Sequence, residues 1–163
     1  MNPYEILLEI RAALLAAVWA GGVVGFASVH ATAGGPSPAA FASLRLPCAL
    51  IQIGSAAPDD EEPGLIRQTY EVTVCQAVAG DTVSENVIVG ANKTGGATSS
   101  RGRGLAEIEE RMKQAIQELG PGAGVRLMFK SSSDAGPVET GEAKYDAFRV
   151  YSFEAWAVTQ AGQ

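Results

Sequence analysis

The last strand-like stretch of the chain, residues 145–158, most constrains the fold, because it carries large apolar groups on both faces. Alternate positions place Phe148, Val150, Trp156 and Val158 on one side, and Tyr151, Phe153, Ala155 and Ala157 on the other. A strand in a one-sided sheet shows polar groups to water on its second face. The pattern therefore predicts a cover on each face, either a helix on both or a partner subunit on one.

Two further segments set the fold class. Residues 65–78 alternate between apolar and polar side chains, which predicts a half-exposed antiparallel strand. Residues 105–119 form one apolar stripe at helical spacing, with Glu109 and Lys113 placed to pair on the polar side. We predict an α+β single domain over residues 1–163, with a mixed or antiparallel sheet, a long N-terminal helix and a second amphipathic helix packed on it. The predicted elements are a helix at 3–20, strands at 44–53, 65–78 and 83–89, a helix at 105–119, strands at 125–130 and 145–158, and long loops at 90–104 and 131–144.

The N-terminal helix begins with Asn2 as its cap and proline at its first helical position. Its apolar line consists of Ile6, Leu7, Ile10, Leu14 and Val18. The opposite line starts with glutamates and then becomes Ala12 and Ala16, a small-residue face that lets another backbone approach closely. We therefore expect this helix to be covered on more than one side, by its own sheet or by a second subunit.

The same region permits a rival interpretation as a membrane anchor or export signal. Residues 12–29 carry no charge and approach the minimum length of a membrane-spanning helix. However, Glu5 and Glu9 precede the run where a signal peptide carries positive charge, and glycines interrupt it. A membrane-anchored or exported binding domain is therefore the weaker alternative.

Charge argues against a protein dedicated to nucleic acid. The net charge is −6 and the isoelectric point is near 4.8, whereas binding to DNA or RNA needs a cationic surface. Lys93, Arg101 and Arg103 lie in the glycine-rich segment 90–104, which lacks the spacing of a phosphate-binding loop. Long loops in compact domains commonly bind something, so we interpret this one as a loop that docks a partner.

No residue pattern indicates catalysis, a cofactor or a metal. Cys48 and Cys75 lie in apolar runs and are predicted to be reduced core thiols, while His30 has no acidic neighbour and is assigned a structural or solvent role. Cysteine and histidine spacings typical of zinc sites are absent. The acidic run at 58–64 lacks the spaced oxygens of a calcium loop and is predicted to be a solvated turn. We therefore predict that the chain is not an enzyme.

The chain contains, in this order, PYEILLEIRAALL at 3–15, LPCALI at 46–51, QTYEVTV at 68–74, GLAEIEERMKQAI at 104–116 and FRVYSFEA at 148–155. This order of segments resembles that of the tail terminator, or tail completion, proteins of long-tailed bacteriophages. Head-closure and other neck proteins of the same virions have similar small layouts and remain an alternative.

The resemblance implies a structural virion protein, assembled in the host cytoplasm, that forms a ring of six copies on the head-proximal end of the tail tube. Its partners would be copies of itself, the tail tube protein and a head–tail connector or stopper protein. It implies no catalytic residue, no cofactor and no sequence-specific nucleic acid. The residues that we expect at subunit or partner interfaces are Ala12, Ala16, Lys93, Arg101, Arg103, Tyr151, Phe153 and Trp156.

Overall fold

The fold is α+β, as predicted, with a mixed sheet and two helices on one of its faces. A computed structural model describes residues 1–18, 25–33, 45, 47–79, 104–117, 119, 127–140 and 144–158. Over these residues the elements are α1 (Pro3–Ala16), β1 (Ser28–Ala31), β2 (Cys48–Pro58), β3 (Leu65–Ala79), α2 (Leu105–Gln117), β4 (Leu127–Thr140) and β5 (Lys144–Val158).

The described strands form one sheet in the order β1-β2-β3-β5-β4. Strand β1 runs parallel to β2, and the remaining neighbours are antiparallel, so the sheet is mixed. The longest pairing joins β3 to β5, from Leu65 opposite Val158 to Ala79 opposite Lys144. The alternation seen in the sequence at 65–78 thus belongs to a central strand. Strand β1 was not predicted.

Helix α1 begins as predicted but is shorter. The Asn2 side chain accepts a hydrogen bond from the Glu5 backbone N–H at 2.9 Å, and the Glu5 carboxylate accepts one from the Asn2 N–H at 2.8 Å. The helix has 14 residues and ends at Ala16, because Ala17 is extended and its carbonyl accepts a hydrogen bond from the Gly25 N–H. The prediction of a long helix reaching residue 20 is therefore wrong.

Helix α2 has the predicted amphipathic character. Leu105, Ile108, Met112 and Ile116 are buried against the sheet. On the flank, Lys113 pairs with Glu109 at 2.5 Å, and its ammonium lies 4.2 Å from the centre of the Phe129 ring. The Tyr151 hydroxyl donates to the second oxygen of Glu109 at 3.1 Å, so a polar contact also holds α2 to β5.

The core lies between the helices and the sheet. The Tyr70 hydroxyl donates to the Pro3 carbonyl at 3.0 Å, which fixes the beginning of α1 over the sheet, and burial raises the pKa of Tyr70. The buried cluster includes Ile6, Ile10, Leu14, Phe26, Val29, Ala49, Ile51, Tyr70, Val72, Val74, Leu105, Ile108, Met112, Ile116, Tyr151, Phe153, Ala155 and Ala157.

The loop predicted at 131–144 is mostly strand. Strand β4 continues to Thr140, and its backbone pairs with β5 up to the position where Thr140 faces Lys144. The register shifts after Phe129 and after Asp134, so the strand absorbs its polar residues and Pro137 through bulges. Because β4 is an edge strand among the described residues, a proline costs it little. The strand predicted at 83–89 and the loop at 90–103 lie outside the described residues.

The sheet face away from the helices, here called the second face, is only locally apolar. The strand registers place Cys48, Leu50, Thr73 and Cys75 side by side there, and all four are buried. Further along β3 and β5 the second face carries half-buried polar side chains instead, among them Arg67, Glu71, Ser152 and Glu154. The side chains of Phe148, Val150 and Val158 lie outside the described part.

Candidate functional site

The solvent-facing side of α1 is unusually apolar. Tyr4 is 62% exposed, Leu8 is 43% exposed and Leu15 is 44% exposed. Their spacing of four and seven residues places them within a sector of about 40° on a helix of 3.6 residues per turn. These three side chains, the α1 stripe, lie well away from the core face formed by Ile6 and Ile10. Helix α1 is therefore apolar on two sides and covered on one.

A shallow groove of about 430 Å³ lies between the end of α1 and α2. Its walls are mostly small or aliphatic, so a neighbouring backbone can approach without displacing long side chains. Val18 also lines the groove and is 53% exposed, because it lies beyond the end of the helix. The residues that line this alanine groove are Ala13, Ala16, Ala17, Val18, Arg111, Gln114, Ala115 and Leu119.

Charged side chains border this apolar surface. Glu5 and Glu9 are exposed on one flank of the α1 stripe, and Arg11 is exposed on the other. Arg111 contributes a cation to the alanine groove, and the ion pairs of the described residues do not include it. An apolar strip with opposite charges on its two sides can orient a partner as well as attract it.

Two of the predicted interface residues lie at this site. Ala12 and Ala16 are exposed on α1, and Ala16 lines the alanine groove. The small-residue face that the sequence predicts is therefore open to solvent in the protomer. Lys93, Arg101 and Arg103 lie outside the described residues, so their predicted role in partner docking stays a prediction.

The interface role predicted for Tyr151 and Phe153 is corrected by their position. Both side chains are 0% exposed, because this face of β5 lies under the two helices. Phe153 also packs edge-to-face against Phe129, with ring centres 5.7 Å apart. The protomer itself covers these rings, so they are core residues and are not available to a partner.

Trp156, on the second face, is tied to the turn between β2 and β3. Its indole N–H donates to Asp59 Oδ2 at 2.9 Å, while Asp59 Oδ1 accepts from the backbone N–H groups of Glu61 and Glu62. These hydrogen bonds lower the pKa of Asp59, with a smaller contribution from Arg67. Trp156 is half-buried, and the contact that the structure gives it is intramolecular.

His30 is exposed on β1, in register with Leu50. Among the described residues, no group of three or more histidines, cysteines or acids is placed to hold a metal ion. Within the same part of the chain, neither helix is long and apolar enough to span a membrane. The uncharged run 12–29 includes the end of α1 at Ala16 and the beginning of β1 at Ser28.

Comparison with known proteins assigns no family to this chain. Family models give no match to the chain, and neither do curated protein sequences. A proposed function therefore depends on the exposed surface of α1 and on the order of the elements.

Sequence reasoning missed the three residues of the α1 stripe. The prediction for this helix rests on the lines of Ile6 and Glu5 and does not include the line that starts at Tyr4. The signal was present, since Tyr4, Leu8 and Leu15 recur at spacings of four and seven. What the sequence could not supply was which of two apolar lines faces the sheet.

Proposed function

We propose that this chain is a structural protein whose copies assemble into a closed ring through the α1 stripe and the alanine groove. The observation that carries the proposal is the exposure of Tyr4, Leu8 and Leu15 on a helix whose opposite side is already in the core. Helices with apolar side chains on more than one side are typically buried on more than one side.

The driving force is ordinary hydrophobic burial. Each Å² of apolar surface removed from water contributes about 25 cal/mol, so covering three large side chains and the alanine groove favours association. A single copy contains the stripe but leaves it uncovered. A second copy of the same chain is always available as the partner, because it is present wherever the first copy is.

The charges beside the stripe favour a contact in which unlike flanks meet. Glu5 and Glu9 lie on one flank of the stripe, and Arg11 lies on the other. When two α1 helices pack antiparallel about a two-fold axis, like flanks meet and the glutamates repel each other. Unlike flanks meet when two α1 helices pack parallel or when the contact is head-to-tail, and head-to-tail contacts close into rings when the rotation per subunit is suitable.

Within this class, we propose a tail terminator, the ring that caps the tail tube of a long-tailed bacteriophage and joins it to the head connector. Support comes from the order of the elements, with a capped N-terminal helix, a hairpin of long strands, a cross-sheet helix and a final strand pair. A head-closure or stopper ring is the second candidate, since it would use the same surface at a different joint. The two differ in which partner they bind.

The test is the mass of the purified chain in native mass spectrometry, alone and mixed with short tail tubes. The proposal predicts one closed oligomer, of which six copies is the expected number, and binding to tube ends. Leu8→Glu should reduce the oligomer to folded monomers. His30→Ala is the matched control, because His30 is exposed on β1.

Four outcomes separate the proposals. A ring that binds tube ends supports a terminator, and a ring that binds a head connector but ignores tubes supports the head-closure alternative. A chain that stays monomeric at high concentration and ignores both partners contradicts assembly through α1. An oligomer unaffected by Leu8→Glu would mean that another surface carries the contact.

A further inference from the structure

The two cysteines of the chain lie directly opposite each other on neighbouring strands. Cys48 of β2 is in register with Cys75 of β3, and the two strands are antiparallel. Opposite residues of an antiparallel pair point to the same face of the sheet. Both thiols are therefore on the second face, where both are free and fully buried.

The backbone pattern sets the distance between them. The carbonyls of Pro47 and Ile51 accept hydrogen bonds from Ala27 and Thr32 on the β1 side, so these residues point away from β3. Cys48 follows Pro47 directly in the chain, so its backbone N–H and C=O point the other way, toward β3. Opposite residues of this hydrogen-bonded kind have Cα atoms about 5.5 Å apart. Disulfides span Cα separations of about 4.4 to 6.8 Å, so the backbone spacing at this pair allows a bond between the two sulfurs.

We propose that Cys48 and Cys75 are a dithiol pair that closes reversibly into a disulfide between β2 and β3, with a small-molecule disulfide such as glutathione disulfide as oxidant. One protein thiolate attacks the oxidant and releases one glutathione, leaving a mixed disulfide. The second protein thiolate then attacks the protein sulfur of that bond and releases the second glutathione. Two protein thiols are oxidised, one glutathione disulfide is reduced, and the two thiol protons pass to the glutathiones.

Reversibility follows from the same geometry. The Cβ atoms of a hydrogen-bonded pair lie farther apart than the roughly 3.8 Å that a relaxed disulfide prefers. Closing the bond therefore draws two side chains together within a rigid ladder, and such strain makes a disulfide easier to reduce.

Burial determines when the exchange occurs. Burial raises the pKa of Cys75 to about 12, and it also raises that of Cys48, although a hydrogen bond with Ser28 partly offsets it. Thiolate is the reactive form, so exchange in the folded chain is slow. The pair closes during folding or when the β2–β3 pairing opens, and afterwards it is shielded.

The experiment refolds the full chain from denaturant in glutathione buffers of defined ratio. Free thiols are then blocked by alkylation and the intact mass is measured. With a tenfold excess of glutathione disulfide over glutathione, the main product should have lost two hydrogens and carry neither alkyl groups nor glutathione. With the ratio reversed, both cysteines should be alkylated.

A register variant supplies the matched control. Thr73→Cys combined with Cys75→Ser keeps two thiols on the second face but moves one to a diagonal position, where Cα atoms are about 7 to 8 Å apart. This variant should give mixed disulfides with glutathione and at least tenfold less internal disulfide. The proposal is overturned if the natural chain keeps two free thiols at every ratio, or if the variant closes equally well.

Discussion

The two helices lie on the same face of the same sheet, yet their solvent-facing sides differ in polarity. Helix α2 buries Leu105, Ile108, Met112 and Ile116 and shows charged side chains to solvent, as expected of a helix on the surface of a single protomer. Helix α1 also has a buried face, but its outer side carries the three apolar residues of the α1 stripe. We therefore propose that a neighbouring copy covers the outer side of α1, whereas the outer side of α2 is polar and needs no such cover.

The buried faces of the two helices should contribute equally to the stability of the fold. We expect Ile10→Ala in α1 and Ile108→Ala in α2 each to lower the free energy of unfolding by about 2 to 5 kcal/mol, since both side chains are fully buried. Urea denaturation followed by circular dichroism measures both values. A loss below about 1 kcal/mol for Ile10→Ala alone would mean that α1 is not part of the core, and the comparison would fail.

The solvent faces should differ sharply. Leu15→Glu in α1 should convert the oligomer to monomers in sedimentation velocity, because it places a charge in the apolar contact. Glu110→Ala, on the exposed side of α2, should leave the oligomer intact and change the stability by no more than about 0.5 kcal/mol. If both variants assemble normally, the α1 stripe is not a subunit contact.

The flank of α2 provides a smaller effect. Lys113→Ala removes an ion pair with Glu109 and a contact with the Phe129 ring, and should cost about 1 kcal/mol. The matched control, Ala substitution at exposed Glu110, tests whether any charge on this helix has the same effect. Equal losses in the two variants would show that the contact with Phe129 contributes nothing specific.

At neutral pH, the turn at Asp59 should have the smallest of these effects on the stability of the fold. In acid, its contribution should change with pH. The pKa of Asp59 is lower in the folded chain than its ordinary value of 3.8. A lowered carboxyl pKa stabilises the fold at pH values above 3.8, and that stabilisation is lost as the pH falls below this value toward the folded pKa. The indole N–H resonance of Trp156 should accordingly stay constant above pH 5 and shift only below 3.8.

Asp59→Asn supplies the control for this prediction. Because asparagine does not titrate, the pH-dependent shift of the Trp156 resonance should disappear, while Asp60→Asn should leave it unchanged. A shift that persists in Asp59→Asn would assign the titration to another group.

Much of the fold could be predicted because the relevant patterns are local. The apolar stripe of α2 and the alternation of β3 are each complete within their own segments. Strand β4 could not be predicted beyond residue 130, since Ser131–Ser133 have no strand-like pattern and are held by backbone pairing to β5. Strand β1 has four residues and depends on a partner that lies some twenty positions away in the chain.

The candidate site was harder to predict for a related reason. The sequence shows that residues 145–158 and α1 both have two apolar sides, but it does not show which sides the protomer covers itself. Tyr151 and Phe153 turn out to lie inside the core, and Tyr4 and Leu8 outside it. That outcome is determined by how the helices pack on the sheet, which is a non-local property.

The central claim, that a second copy covers the α1 stripe, is tested most directly by an electron cryomicroscopy structure of the assembled particle. We expect a closed ring in which the exposed fractions of Tyr4, Leu8 and Leu15 fall from 62%, 43% and 44% to near zero. A ring in which these three side chains still face solvent, or a particle that is only ever a monomer, would contradict the claim.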